Sequence, residues 1–318
     1  MLSYLSTLIA LLYLGFFFSA CDPAMAADRP GDDDTSFVYA AADHVFPYDL
    51  NEPDLKVELP GRLDEISGLD FAPNGRDLVA VNDEDGEVYT IDPLTGDADK
   101  GNKFWKDDDY EGVETVGKDV WVVKSTGTLY QITNWGEDDL ETEKYNDFLD
   151  GDNDVEGLAY DKANNRLLLG CKGQAGNDRD FILQKAIYAF DLETKELLEA
   201  PAYRIEMREI QDYLMIHPAK REIEKLVEFF GPGQSEFTFS PSALAIHPQT
   251  QELYVLSSVG KLLLVLAPDG SVQHLVKLRK KTFPQPEGMC FDKEGSLYIS
   301  SEAKGKDARL LRFDQRGR

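Results

Sequence analysis

The 318-residue chain carries 59 Asp and Glu against 33 Lys and Arg, a formal charge of −26 with a pI near 4.4. Such a surface repels phosphate backbones and anionic headgroups, which argues against nucleic acid as a partner, and it attracts divalent cations wherever carboxylates converge. The length is enough for one large all-β domain or two small ones, and the 42% hydrophobic fraction is ordinary for a globular protein. Three cysteines, Cys21, Cys171 and Cys290, do not make a disulfide framework, and the latter two read as small buried hydrophobes within apolar strands.

Residues 1–20 (MLSYLSTLIALLYLGFFFSA) hold an apolar run from about Leu8 to Phe18. It is short for a spanning helix and suits the apolar region of a signal peptide, although no Lys or Arg precedes it. Two cleavage sites compete. Phe18-Ser19-Ala20-Cys21 reads as a bacterial lipobox with Phe18 in place of the usual Leu, whereas Ala24-Met25-Ala26 would release a soluble periplasmic or secreted protein. A Cys placed directly after the apolar run, in a chain so poor in Cys, favours lipidation of Cys21. The anchor would be lipid only, without a span, at the cell envelope. Residues 21–46 are acidic, Ala-rich and aperiodic, and they read as a flexible linker below a domain spanning 47–318.

From Asp64 onward one pattern returns five times: DEISGLDFAPNGRDLVAV, YEGVETVGKDVWVV, VEGLAYDKANNRLLLG, PSALAIHPQTQELYVL and PEGMCFDKEGSLYIS. Aligned on Ser67-Gly68-Leu69, Glu111-Gly112-Val113, Glu156-Gly157-Leu158, Ser242-Ala243-Leu244 and Glu287-Gly288-Met289, the spacings are 44, 45, 86 and 45 residues. A period near 45 is that of a four-stranded propeller blade. Each copy gives an apolar strand, a turn rich in Asn, Asp, Gly or Pro, a second strand (LVAV, VWVV, RLLLG, LYVL, LYIS) and a third (EVYTID, TLYQIT, AIYAFD, LLLVLA, RLLRFD). The Gly or Ala in each core lets crowded innermost strands approach one another.

The interval of 86 could hide a sixth blade. Its residues MREIQDYLMIHPAKREIEKLVEFFG are instead helical in period, with Ile223, Leu226, Val227 and Phe230 on one face. The expectation is an all-β, five-bladed β-propeller with a helical insertion, about residues 206–231, between blades 3 and 4. Packing against its own propeller is the common fate of such a helical face. Blade 5 ends near Asp314 with three strands, and Asp49–Pro60 (DLNEPDLKVELP) is placed to supply the fourth and close the ring.

Strand periodicity of two puts the first core residue and the residue two before it on one face. The pairs are Glu65/Ser67, Asp109/Glu111, Asp154/Glu156, Ser240/Ser242 and Gln285/Glu287. Six carboxylates (Glu65, Asp109, Glu111, Asp154, Glu156 and Glu287) are thus aimed at one mouth of the central channel, with Ser67, Ser242 and Gln285 as neutral oxygens. Like charges so placed call for protons or a cation, and an all-oxygen shell suits Ca²⁺ better than Zn²⁺. A solvated acidic rim is the plainer reading. Glu302, and Asp83, Glu84 and Asp85, stand at ends of second strands that can border the same mouth, and exposed turn acids are the plainer reading there too. Asp107–Asp109 and Asp152–Asp154 lack the Gly and Glu register of an EF-hand. His44, His217, His247 and His274 form no cluster, and there is no G-x-S-x-G, HExxH, CxxC pair or Walker loop.

The order LPGRLDEISGLDF, VEGLAYD and PEGMCFDKEGSLYISSE…LLRFD resembles the SdiA-regulated family of bacterial propellers over about residues 48–318, apart from the insertion. The resemblance implies five blades, calcium and a distant kinship with NHL-repeat proteins, which often mediate protein–protein contacts. It implies no activity and no substrate. Ser242 departs from the acidic pattern, leaving a ligand ring incomplete at blade 4. The expectation is a monomeric calcium-binding module for a protein or small ligand. The alternative is a metal-dependent hydrolase, lactonase- or phosphoesterase-like, in which a channel metal polarises a carbonyl or phosphoryl oxygen.

Overall fold

The structure, a computed structural model, describes residues 36–40, 45–137, 139–176, 183–216, 226, 229–231 and 237–316. The signal segment, Cys21, His44, His217, Ile223 and Val227 lie outside the described residues. Two strands open the described chain, β1 (Phe37–Ala40) and β2 (Leu55–Glu58). Blade 1 follows as β3 (Ile66–Phe71), β4 (Leu78–Asn82), β5 (Glu87–Ile91) and β6 (Asn102–Lys103). Blade 2 is β7 (Tyr110–Val116), β8 (Asp119–Lys124), β9 (Leu129–Thr133) and β10 (Glu141–Tyr145). Blade 3 is β11 (Val155–Asp161), β12 (Arg166–Cys171) and β13 (Gln184–Asp191), with β14 (Glu196–Leu197) and β15 (Tyr203–Glu206) both pairing β13. After α1 (Met207–Ile216) come blade 4, β16 (Pro241–Ile246) to β17 (Leu253–Ser257), β18 (Leu262–Leu266) and β19 (Val272–Lys277), and blade 5, β20 (Pro286–Phe291), β21 (Leu297–Ser301) and β22 (Arg309–Phe313).

There are five blades, not six. The ring closes as the sequence predicts: β2 pairs antiparallel with β22, Leu55 opposite Arg312 and Glu58 opposite Arg309, giving blade 5 its outer strand. The linker reading needs correction. Phe37–Ala40 is an outer fifth strand of blade 4, in register from Phe37 with Lys277 to Ala40 with His274. Ser36 pins it there: its backbone N–H donates to Asn51 Oδ1 (2.6 Å) and its hydroxyl accepts from the Arg279 N–H (2.9 Å).

Second and third strands are mostly apolar because both their faces are covered by neighbouring blades. All residues of β4, β17 and β18 are buried. Core clusters therefore straddle blade pairs. Val79 and Val81 of blade 1 pack with Val120, Val122 and Tyr130 of blade 2, and Leu256 and Leu263 of blade 4 with Ile299 and Leu311 of blade 5. Each such side chain contributes about 1.5–3 kcal/mol when fully buried.

The core glycines set the ring spacing. A Cβ on Gly68 would lie 2.5 Å from Val113 N, one on Gly112 2.8 Å from Leu158 Cβ, one on Gly157 2.6 Å from Leu244 Cγ, and one on Gly288 2.8 Å from Leu69 Cβ. Each glycine touches the innermost strand of an adjacent blade, and the contacts run around the circle from blade 5 back to blade 1.

The helical insertion packs on the propeller's own flank. Met207, Ile210, Tyr213 and Leu214 form the buried stripe of α1 and join Leu226, Phe230, Phe237 and Phe239 against Leu264 and Leu275 of blade 4. The Tyr213 hydroxyl donates to Gln273 O (2.7 Å).

Candidate functional site: the acidic mouth of the channel

All five innermost strands carry a bulge at the same place. The register shifts between Ile66 and Leu69, Tyr110 and Gly112, Val155 and Gly157, Pro241 and Ala243, and Pro286 and Gly288. The extra residue in blades 2 to 5 is Glu111, Glu156, Ser242 and Glu287, and in blade 1 it falls at Ser67-Gly68. A bulge frees its residue from the ladder and re-aims the side chain. Glu111, Glu156, Ser242 and Glu287 thereby line one small cavity on the axis, floored by Leu69, Val113, Leu158, Leu244 and Met289. Its free space is about 10 Å³, about room for one water or one monatomic ion.

The six predicted carboxylates fall into two groups. Glu111, Glu156 and Glu287 share the cavity, Glu156 being 6% and Glu287 9% exposed. Glu65 and Asp109 are exposed at the rim, and Asp154 is half-buried, at φ +48°. Asp109 and Glu111 lie close enough to raise the Glu111 pKa, and Asp154 likewise acts on Glu156. Of the neutral oxygens, Ser67 and Ser242 are buried and Gln285 is half-buried. Ser242 Oγ donates to Pro286 O (3.3 Å) and accepts from the Ser258 N–H (3.2 Å).

A further ring lies at the ends of the second strands, where Asp83, Ser125, Lys172, Ser258 and Glu302 each follow the partner of the residue before the bulge. The backbone repeats the placement. The N–H of Ser125 donates to Asp109 O (3.1 Å), that of Lys172 to Asp154 O (2.8 Å) and that of Glu302 to Gln285 O (2.9 Å). Asp83 and Glu302 are half-buried members of the mouth rather than free turn acids. Sequence reasoning missed Lys172. The available signal was its position, one residue past RLLLGC, in repeat register with Glu302.

The electrostatics follow from burial and crowding. Glu111 is pushed up to about 10, by burial first and then by Glu156 and Asp109. Burial and the neighbouring Glu287 raise Glu156 even though Lys172 pulls it down, and burial with Glu302 raises Glu287 against the Lys172 charge and the Ser258 and Ser242 hydroxyls. Asp83 rises to about 6 through burial and the nearby Glu65 and Glu302. Lys172 pairs with Glu156 Oε1 and lies 3.8 Å from Asp154 Oδ2, and its carboxylate neighbours raise its pKa against the effect of burial. Lys185, itself buried, donates to the carbonyl of Gly173 (2.8 Å) and to that of Lys172, fixing the backbone that carries this lysine.

Three residues past the bulges, Asp70 and Glu114 form another acid pair between blades 1 and 2. The Thr115 N–H donates to Asp70 Oδ2 (2.8 Å), and burial raises both carboxyls. Cys171 and Cys290 are buried free thiols, and His247 caps a turn by accepting the N–H groups of Gln249 and Thr250 at Nδ1.

The mouth offers oxygen donors only, which is hard-cation chemistry, and Glu156 Oε2 is buried with no hydrogen-bond partner. Among the described residues no three His, Cys, Asp or Glu side chains already converge to hold a metal ion. The donors therefore fit Ca²⁺ in kind, while Lys172 already pairs with one oxygen of Glu156.

The fold and the acidic mouth together define a five-bladed propeller with a carboxylate-lined axis. Residues 227–304 match the family described as SdiA-regulated, which, with the five-bladed fold, bears out the resemblance read from the sequence. Among solved structures, glutaminyl cyclase from Myxococcus xanthus is similar, with 10% identity over 82% of this chain and 94% of that one and a TM-score of 0.54. The PQQ-bound aldose sugar dehydrogenase from Streptomyces coelicolor matches at 11% identity over 88% and 98%, with a TM-score of 0.48. Virginiamycin B lyase from Staphylococcus aureus matches at 12% over 82% and 73%, with a TM-score of 0.42. At 10% identity the likeness to the cyclase speaks to the fold alone.

Proposed function

We propose that this protein is an envelope-anchored calcium-binding β-propeller that serves as a binding module for a protein or small ligand. The observation that carries the reading is that Glu111, Glu156 and Glu287 line one axial cavity, with a buried, unpartnered oxygen on Glu156. When bound, Ca²⁺ supplies the positive charge that lets these carboxylates ionise together. Glu111, Glu156, Glu287 and Ser242 would hold it, while Glu65, Asp109, Glu302 and Asp83 keep the rim negative. The anchor rests on the lipobox reading of residues 18–21, with lipid on Cys21.

Thermal melts in excess Ca²⁺ and in EDTA test the metal, since an ion bound only by the native state must raise the melting temperature. Equal melting temperatures in the two buffers would sink the calcium reading. Mass spectrometry of the mature N-terminus tests the anchor: diacylated Cys21 is the expected species, and an unmodified N-terminus at Ala27 would contradict it.

A further inference from the structure

We propose that Lys172 is a built-in counter-ion that competes with a divalent cation for Glu156, so that release of this side chain sets the affinity of the mouth for Ca²⁺. The proposal rests on the cation reading above and adds the residue that regulates it.

Lys172 is the departure in its ring. The equivalent positions of the other four blades are Asp83, Ser125, Ser258 and Glu302, each an oxygen-bearing side chain. Its ammonium pairs with Glu156 Oε1, while Oε2 of the same carboxylate is buried and unpartnered. One half of Glu156 is thus answered by a tethered monovalent charge, and the other half is left for a ligand. A divalent ion in the cavity would claim both oxygens with twice the charge.

The side chain is built to leave. It is 34% exposed, against 8% for the Glu156 side chain, so its charge can regain water that the carboxylate cannot. Asp154 Oδ2 stands 3.8 Å from Nζ on a side chain 40% exposed. A small outward swing transfers the ammonium from Glu156 to Asp154 and keeps it paired. The backbone does not have to follow, because the Lys172 N–H is held by Asp154 O (2.8 Å) and its carbonyl by Lys185. Asp154, expected from the sequence to ligate the metal, becomes the resting place of the displaced lysine.

Calorimetric Ca²⁺ titration of the EDTA-stripped full chain tests this with wild type, Lys172→Met, which keeps an apolar stem, and Lys172→Arg, which keeps the charge. The expected result is binding about tenfold tighter in K172M, with K172R close to wild type. Equal or weaker binding by K172M, with wild type binding, overturns the proposal and leaves the calcium reading standing. No binding by any of the three overturns both. A second measurement needs no variant: acetylation of Lys172 in wild type, followed by mass spectrometry, should speed up several-fold when Ca²⁺ is added, because the side chain swings from the buried Glu156 to the more exposed Asp154, where reagent reaches it. An unchanged rate in the presence of bound Ca²⁺ overturns the displacement.

Discussion

Replacing Glu111 with Gln should stabilise the protein in EDTA at pH 8 and do little at pH 5. Glu111 is half-buried beside Glu156 and Asp109, and this holds its carboxyl protonated up to about pH 10 in the fold, against an ordinary value of 4.5. A carboxyl raised on folding contributes its full stability below the unfolded pKa and loses it as pH rises through the folded value. Wild type therefore bears a growing cost between about pH 4.5 and pH 10. At pH 8 that cost is capped at about 5 kcal/mol. Water at the half-open mouth brings it to about 2–3 kcal/mol. Glutamine has the shape of the neutral acid and bears no such cost, so E111Q should gain about 2–3 kcal/mol at pH 8 and less than about 1 kcal/mol at pH 5. Urea unfolding at both pH values in EDTA is the assay, and with added Ca²⁺ the sign should reverse because a ligand oxygen is lost. Destabilisation of equal size at both pH values in EDTA would refute the crowding of Glu111.

The melting temperature of the EDTA-treated wild type should rise on acidification from pH 8 towards pH 5, because Glu111, Glu156, Glu287 and Asp83 are all raised. Excess Ca²⁺ should flatten that profile, and a monotonic fall with acid in EDTA would contradict it. Gly68→Ala should cost about 1–3 kcal/mol or more in chemical denaturation, since its Cβ would lie 2.5 Å from backbone Val113 N. Gly75→Ala, with φ +65° but nothing within 4 Å, should cost only about 1 kcal/mol, and equal losses at the two sites would undo the ring-spacing account. Removing residues 1–60 deletes β2 and bares the edge of β22, so that truncation should lose cooperative melting, whereas removing residues 1–35 should leave it intact.

Much of this fold was legible because a blade is a long repeat and repeats survive substitution. The five cores, the 45-residue period, the closing strand around Leu55–Glu58 and the helical face bearing Leu226 and Phe230 all rest on periods that sequence displays. The first outer strand was not legible, since four residues after an acidic, Ala-rich stretch are too few to show a period of two. The bulges were hidden for a related reason. Strict alternation places Asp109 and Glu111, or Asp154 and Glu156, on one face as equals. A bulge at the second member of each pair sends Glu111 and Glu156 into the cavity and leaves Asp109 and Asp154 nearer the rim. Lys172 was invisible because a lysine after a buried strand reads as an ordinary solvated charge, and only the register across five blades shows it among the carboxylates of the mouth, Glu111, Asp154, Glu156, Glu287 and Glu302. The Asp70–Glu114 pair escaped because its two halves come from different blades.

An anomalous-difference map from crystals grown with Ca²⁺ tests the central claim most directly. The account predicts one axial peak at about 2.3–2.6 Å from oxygens of Glu111, Glu156 and Glu287, with the Lys172 ammonium moved onto Asp154. A map with no peak on the axis, and Lys172 still seated on Glu156 in saturating Ca²⁺, would contradict it.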